Sequence, residues 1–335
     1  MSGETMNAIV LRGFGGPEVM GLGRVPMPEP GPEDILVRVR ASALNRADTL
    51  QRMGLYPAPP GDSEILGLEL AGEVVRWGSS VSGFAEGQRV FGLVGGGGYA
   101  EYALIDHKMA MPIPEGWDFL QAAAVPEVFF TAHETLFVLG ALAEGDAVLI
   151  HAGGSGVGTA AIQMCSHAGA RVFFTAGSPE KIQRAEALAK GAQPVTGIDY
   201  KTHDFQQEVL KHTGQAGVDV ILDFIGADYL SRNLASLRPG GRLIVAALMG
   251  GAQAELDLGP LLRKRLQIIG SVMRSRPLAD KRAITGRFRQ RWLPLLTGGT
   301  VQPIIDRAFP LAEARQAHEH MEANRNFGKI ILEVG

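Results

Sequence analysis

The stretch VLIHAGGSGVGTAAIQ, Val148 to Gln163, places four glycines and one serine in the six positions Gly153 to Gly158. Such a segment cannot pack as core, so it is built to let something approach the backbone closely. The residues before it, Ala147 to His151, read as a buried strand, and Val157 to Ala168 read as a helix. A strand, a glycine turn and a helix in that order leave free N–H groups at a helix start, where a pyrophosphate can bind. The spacing Gly153, Ser155, Gly158 is that of G-x-G-x-x-G with serine at the second glycine. A glycine-rich loop by itself can be merely a loop, so the surrounding pattern has to decide.

Downstream, strands are expected at Arg171–Thr175, Val218–Phe224, Arg242–Ala246 and Leu266–Val272, with a helix at Pro179–Ala189. Upstream, Phe129–Leu139 reads as a helix. This alternation predicts βαβ units and a parallel sheet, which favours the dinucleotide reading. Before Glu127 the chain reads instead as short strands, at Asn7–Leu11, Ile35–Ala41, Gly72–Val75, Arg89–Gly92 and Tyr99–Leu104, separated by loops such as PMPEPGPED. That pattern predicts a small barrel-like domain. The tail from Val301 ends in the apolar KIILEV, which could return to the first domain.

Composition narrows the class. The chain has 335 residues, 46% hydrophobic and 20% charged, with a net charge of −3, enough for two domains with sizeable cores and no general affinity for polyanions. Cys165 is the sole cysteine, which excludes an intramolecular disulfide and a four-cysteine zinc site. Met1 to Met6 lacks a basic start and an apolar run, so a cytoplasmic protein is expected.

The segments GGPEVM, ASALNRADTLQRMGLYP, ILGLELAGEV, MPIPEG, AAAVPEVFFTA, VLIHAGGSGVGTAAIQ, LDFIG, GRLIVAALMGG and MEANRNFGKI occur together and in order. With them the chain resembles the medium-chain dehydrogenase/reductase superfamily, and within it the zinc-free, zeta-crystallin-type quinone oxidoreductase branch. NRADTLQRMGLYP and HAGGSGVGTAAIQ are similar to the stress-inducible NADPH quinone oxidoreductase subgroup. The resemblance implies an α/β fold: a Rossmann doubly wound parallel sheet plus a GroES-like β-barrel-type substrate domain. The boundaries expected are 1–126 for the substrate-side domain, 127–273 for the NADPH-binding domain, and 274–335 for the return, with nicotinamide and acceptor in the cleft between domains. Reduction of quinones, ortho-quinones above all, is the implied activity, with an enone or 2-alkenal reductase as the alternative.

Zinc-dependent relatives carry a cysteine near Asn45, a Gly-His-Glu where this chain has Gly67-Leu68-Glu69, and a four-cysteine loop. Asn45 and Leu68 supply neither thiolate nor imidazole. His318 and His320 are two apart, which on a helix does not put them on one face. No metal is therefore expected, and a quinone, which delocalises the arriving charge, needs only one or two hydrogen-bond donors.

The resemblance places Tyr56 at the mouth of the substrate cleft, where its phenol could donate to a quinone oxygen or stack on the ring; otherwise it is a surface tyrosine beside Pro57. Asn45 and Asp48 could position substrate, or could bond their own loop. For the cofactor, the resemblance assigns Gly153, Gly154, Ser155, Gly156, Val157 and Gly158, with Ile225, Met249 and Phe327. Ser155 could bond the cofactor or cap the following helix. Around the 2′-phosphate it assigns Ser178, Lys181 and Tyr200, although KGAQPVTGIDY (Lys190 to Tyr200) is longer than the family's path to that tyrosine. From Arg171 through Ser178 there is no acid to bind a ribose 2′-hydroxyl, so NADPH is expected over NADH. Cys165 reads as a packed thiol.

Between Arg263 and Arg291 stand ten Lys or Arg and one acid, Asp280, a local charge of +9. A solvated, partly helical surface explains it; a groove for single-stranded RNA, with Phe288 and Trp292 as stacking aromatics, is the other reading. A non-enzymatic RNA-binding or structural protein that keeps the nucleotide fold is the alternative outside catalysis. An apolar edge strand at Gln267–Met273 predicts a homodimer.

Overall fold

The computed structural model describes residues 3–335. In chain order the strands are β1 (Thr5–Leu11), β2 (Met20–Pro26), β3 (Asp34–Ala43), β4 (Glu69–Trp77), β5 (Arg89–Leu93), β6 (Tyr102–Asp106) and β7 (Met111–Pro112). They continue with β8 (Ala147–Ile150), β9 (Arg171–Ala176), β10 (Val195–Asp199), β11 (Val218–Asp223), β12 (Leu237–Val245) and β13 (Gln267–Gly270). The last two are β14 (Ile305–Pro310) and β15 (Lys329–Glu333). The chain forms two compact units: one holds residues up to Phe130 with Arg274–Thr297 and Pro303–Gly335, the other Thr131–Met273 with Gly298–Gln302.

The first unit is built on a seven-stranded sheet in the order β14-β15-β3-β4-β5-β7, with β6 also pairing β3. The long β3 serves three neighbours. Its first half pairs antiparallel with β6, its last residues Ala41–Ala43 pair with β15, and β4 runs along its other edge. The apolar KIILEV thus closes the sheet begun by the first hundred residues. β1 and β2 form a separate antiparallel hairpin.

The second unit is a six-stranded parallel sheet in the order β10-β9-β8-β11-β12-β13. Numbered from β8, this is 3-2-1-4-5-6, the doubly wound order, with its switch point between β8 and β11. Strands covered on both faces must be apolar throughout, and all six residues of β11 are buried. Leu149, Phe173, Ile198, Ile221 and Leu243 share one core cluster with Phe205 and Leu234 from the covering helices. Cys165 lies in this interior as a free thiol whose pKa burial raises.

Some expectations need correction. The helix expected at Phe129–Leu139 begins earlier, at Pro126, and from His133 to Leu139 widens into a π-helix. The Thr135 hydroxyl, donating to the Thr131 carbonyl at 2.6 Å, draws on the backbone ladder there. Strand β10 was not foreseen, because VTGID is short and has a glycine at its centre; a Cβ at Gly197 would lie 2.7 Å from the Phe174 ring.

The basic segment is also resolved. Phe288 and Trp292 are 0% and 1% exposed, and Phe288 packs on Phe130 with ring centres 4.4 Å apart, so neither aromatic can stack on a base. Arg282 is held by Asp106 at 2.5 Å and Glu33 at 2.9 Å, and the Lys264 ammonium donates to the carbonyls of Ala235 and Leu237. The RNA reading therefore loses the stacking platform on which it rested. Among the described residues, no helix is long and apolar enough to cross a membrane.

Candidate active site

The glycine turn follows β8 in the second unit. Gly153 N–H donates to the Thr175 carbonyl at 2.8 Å, which pins the turn to β9. A Cβ at Gly153 would overlap the Phe174 ring, and one at Gly158 would overlap the Ala152 carbonyl, so close packing of turn on helix demands glycine at both. Ser155 is the N-cap of helix Gly156–His167, its Oγ accepting from Gly158 N–H at 2.9 Å. The capping reading of Ser155 thus holds. The first-turn N–H groups of Gly156 and Val157 have no intrahelical acceptor, which is the arrangement a pyrophosphate needs.

At the end of β9, Ser178 caps helix Pro179–Glu186, accepting from Lys181 N–H at 3.3 Å. Tyr200 follows β10 directly and donates its N–H to the Ala176 carbonyl at 3.2 Å. Its hydroxyl lies over Gly177: a Cβ there would be 2.8 Å from it and 3.3 Å from Lys201 Cε. Tyr200 therefore reaches Gly177 despite the longer path. The extra residues are absorbed before β10, at the opposite end of the sheet, where Gly191 N–H donates to Ser166 Oγ and the Lys190 ammonium to the Gly299 carbonyl. Glu180 is exposed and pairs with Arg184 at 3.6 Å, as an acid in a first helical turn ordinarily does.

Ile225 and Met249 are brought together by paired loops: Met249 N–H donates to the Phe224 carbonyl, and Gly250 N–H to the Ile225 carbonyl at 2.7 Å. Asp223 shapes the first loop by accepting from Ile225 and Gly226 N–H at 2.8 and 3.0 Å. Burial raises its carboxyl to about 6 against the pull of those bonds. Phe327 belongs to the other unit, is 2% exposed and donates its N–H to Asp306, so its ring is core and offers no face to a cofactor.

In the first unit, Asn45 opens helix Arg46–Arg52 and Asp48 occupies its first turn. Asp48 is fully buried. It accepts from Asn45 N–H at 2.7 Å, Gly67 N–H at 3.2 Å and the Tyr99 hydroxyl at 3.2 Å. Burial lifts its carboxyl to about 6, opposed by those backbone bonds and by the Lys329 charge. The chain of bonds continues through Tyr99 to His318 Nε2 and from His318 Nδ1 to Arg52. Arg52 can only donate, so Nδ1 accepts and Nε2 carries the proton. Burial, reinforced by Arg52, holds His318 neutral, its pKa down to about 3. His320 instead pairs with Asp306 at 2.7 Å.

Beside this lies a buried ion pair that sequence reasoning missed. The Lys329 ammonium donates to Glu69 Oε1 at 2.7 Å, Asn45 Oδ1 at 2.8 Å and the Leu44 carbonyl at 2.7 Å, satisfying all three protons. Asn45 Nδ2 donates to Glu69 Oε1 at 2.8 Å, and Glu127 N–H to Oε2 at 2.8 Å. A lysine heading an apolar strand was the available signal, since such a charge must find a partner. The Glu127 carboxyl, surrounded by Glu69 and Asp48, is pushed up to about 8, mainly by burial. Tyr56 is partly buried. Its ring faces the Arg274 guanidinium at 5.7 Å, and its hydroxyl bonds to no described residue.

Comparison with known proteins now bears on these two units. Residues 31–115 match the alcohol dehydrogenase GroES-like domain, and residues 156–287 the zinc-binding dehydrogenase family. The quinone oxidoreductase of Rattus norvegicus is 34% identical over 334 residues, covering 98% of each chain. The chain belongs to the quinone oxidoreductase branch of the medium-chain dehydrogenase/reductase superfamily. It is an oxidoreductase with a Rossmann unit and a GroES-like unit. Among solved structures, the Escherichia coli quinone oxidoreductase in complex with NADPH superposes with a TM-score of 0.87 at 29% identity, covering 98% of this chain and 99% of that one. An NAD-dependent alcohol dehydrogenase does so at 0.85 and 33%, covering 98% and 100%. These two relatives point to different nicotinamides, so cofactor choice has to be argued from this chain's own residues.

The name of the matched zinc-binding family implies a metal, and the donor set does not fit one. Asn45 and Leu68 offer neither thiolate nor imidazole, and the Asn45 and Glu69 oxygens that could face a cation are already bonded to the Lys329 ammonium. Among the described residues no three His, Cys, Asp or Glu are grouped to hold a metal ion.

Proposed function

We propose that this quinone oxidoreductase is a cytoplasmic, metal-independent, NADPH-dependent reductase of quinones. The observation that carries the reading is the Lys329 ammonium bonded to Asn45 and Glu69: its protons occupy the oxygens that could face a metal there, which favours an acceptor that delocalises incoming charge without a Lewis acid. NADPH, when bound, supplies the hydride. The N–H groups after Ser155 hold its pyrophosphate, and Ser178, Lys181 and Tyr200 receive the 2′-phosphate. Tyr56 donates its hydroxyl to the acceptor oxygen as negative charge develops there. Asn45 and Asp48 act indirectly: their bonds fix the start of the helix that leads to Tyr56. A steady-state screen of NADPH oxidation against 1,2-naphthoquinone, 1,4-naphthoquinone and an enone tests the reading; turnover of the enone alone would replace it with the enone reductase alternative.

Lys181→Ala should weaken NADPH binding by about 10–150-fold, the value of a charge-assisted bond, and leave NADH binding within about twofold. Dissociation constants for both cofactors decide it, and equal losses would refute the assignment.

We also infer a homodimer. Among the described residues β13 is the edge of the six-stranded sheet, pairing with β12 alone, and its Ile268 is 39% exposed. An uncovered apolar edge pairs readily with its own copy. Sedimentation at micromolar concentration should give twice the chain mass, and a species of single chain mass throughout would contradict the inference.

A further inference from the structure

Lys201 follows Tyr200 at the exit of β10, and the turn there fixes where its side chain starts. Asp199 Oδ1 accepts from Lys201 N–H at 3.0 Å, and the Asp199 carbonyl accepts from Thr202 and His203 N–H at 3.2 and 2.9 Å. Tyr200 N–H, bonded to the Ala176 carbonyl at 3.2 Å, ties the same turn to the end of β9. From this start the lysine stem folds back over Gly177. A Cβ on that glycine would lie 3.3 Å from Lys201 Cε and 2.8 Å from the Tyr200 hydroxyl, so both side chains end on the same side of Gly177. The Lys201 ammonium, one bond beyond Cε, has no hydrogen bond or ion pair with a described residue, and the Tyr200 hydroxyl has none either. Two donors, one charged and one neutral, are therefore open to a ligand that arrives at Gly177 within the second unit.

Charge balance says what that ligand is. A phosphate monoester carries about 1.5 to 2 negative charges at neutral pH, and the one cation so far assigned to the 2′-phosphate, Lys181, supplies a single positive charge. On the same helix, Arg184 is engaged by Glu180 at 3.6 Å, and the Glu180 carboxylate adds a further negative charge to the first turn. One lysine thus leaves the phosphate short of a counter-charge, and a second cation beside Gly177 supplies it.

We propose that Lys201 is the second cation of the 2′-phosphate site and a specificity-determining residue for the cofactor, acting beside the Tyr200 hydroxyl. This inference rests on the NADPH reading and adds to it a residue that the sequence patterns did not single out. The ammonium and the phenol both donate to phosphate oxygens, and the ammonium bond is the stronger because both partners are charged. A ribose with a free 2′-hydroxyl offers Lys201 no charge, so the same side chain adds little to NADH binding. Tyr200 stacks the choice the same way but without charge, which leaves Lys201 as the part that responds to salt.

The test is the binding of 2′,5′-ADP and 5′-AMP followed by titration calorimetry, which needs neither turnover nor an acceptor. Wild type should bind 2′,5′-ADP at least about tenfold more tightly than 5′-AMP. Lys201→Met should weaken 2′,5′-ADP by about tenfold and leave 5′-AMP within about twofold, the low end for a charged bond because the site is open to water. Lys201→Arg, which keeps the charge, should stay within about threefold of wild type on both nucleotides. Raising the ionic strength should narrow the wild-type preference for 2′,5′-ADP more than that of Lys201→Met. Equal losses on the two nucleotides, no loss on either, or equal narrowing by salt would overturn the proposal. The two readings fail differently. If wild type bound both nucleotides alike, the NADPH reading would fall and this inference with it; if wild type preferred 2′,5′-ADP and Lys201→Met kept that preference, the NADPH reading would stand and the role of Lys201 alone would fall.

Discussion

Lys329→Met should destabilise the first unit by about 3–5 kcal/mol, read as a drop in the denaturant midpoint at unchanged slope. The size follows from burial: Glu69 is 0% and Lys329 3% exposed at the side chain, so removing the ammonium strands a carboxylate away from water. Methionine fills the stem's volume, which confines the loss to the charge and its three hydrogen bonds. The double variant Glu69→Leu/Lys329→Met should recover at least half of the loss, because a buried ion pair replaced by apolar groups is often near neutral. A single-variant loss below about 1 kcal/mol would show that Glu69 is not held as described.

Tyr56→Phe should reduce kcat by about 10–1000-fold while leaving stability within about 0.5 kcal/mol. The two parts have one cause. No described group bonds the Tyr56 hydroxyl, so its removal orphans nothing in the resting protein, whereas an acceptor oxygen gaining charge would lose a donor. Burial first, and then the Glu127 carboxylate, raise the Tyr56 pKa, while Arg274 opposes them. The phenol therefore stays protonated at neutral pH and remains a donor. If Phe preserved kcat while Ala abolished it, Tyr56 would be a packing residue.

The Rossmann unit was legible because its signals are local. A strand, a glycine turn and a helix are contiguous in sequence, and the glycines at 153 and 158 are forced by contacts with Phe174 and Ala152 a few residues or one strand away. β10 escaped because a five-residue strand with a central glycine carries almost no periodicity. The buried polar network escaped for a different reason. Lys329 and Glu69 are 260 residues apart, and Arg52 and His318 are 266 apart, so only the sheet that pairs β15 with β3 brings such partners together. The basic segment misled in the same way: charge counts do not reveal that Phe288 and Trp292 face inward or that Arg282 already has two carboxylates. Ser155, by contrast, was open to both readings offered for it, and its cap is a local contact.

The central claim is reduction of a quinone by NADPH without a metal, and its most direct test is the initial rate of 1,2-naphthoquinone reduction by chelator-treated protein with each nicotinamide. NADPH should give a kcat/KM about 10–150-fold above that of NADH, and added zinc should not raise it. A rate that needs zinc, a preference for NADH, or no oxidation of either nicotinamide would contradict the account.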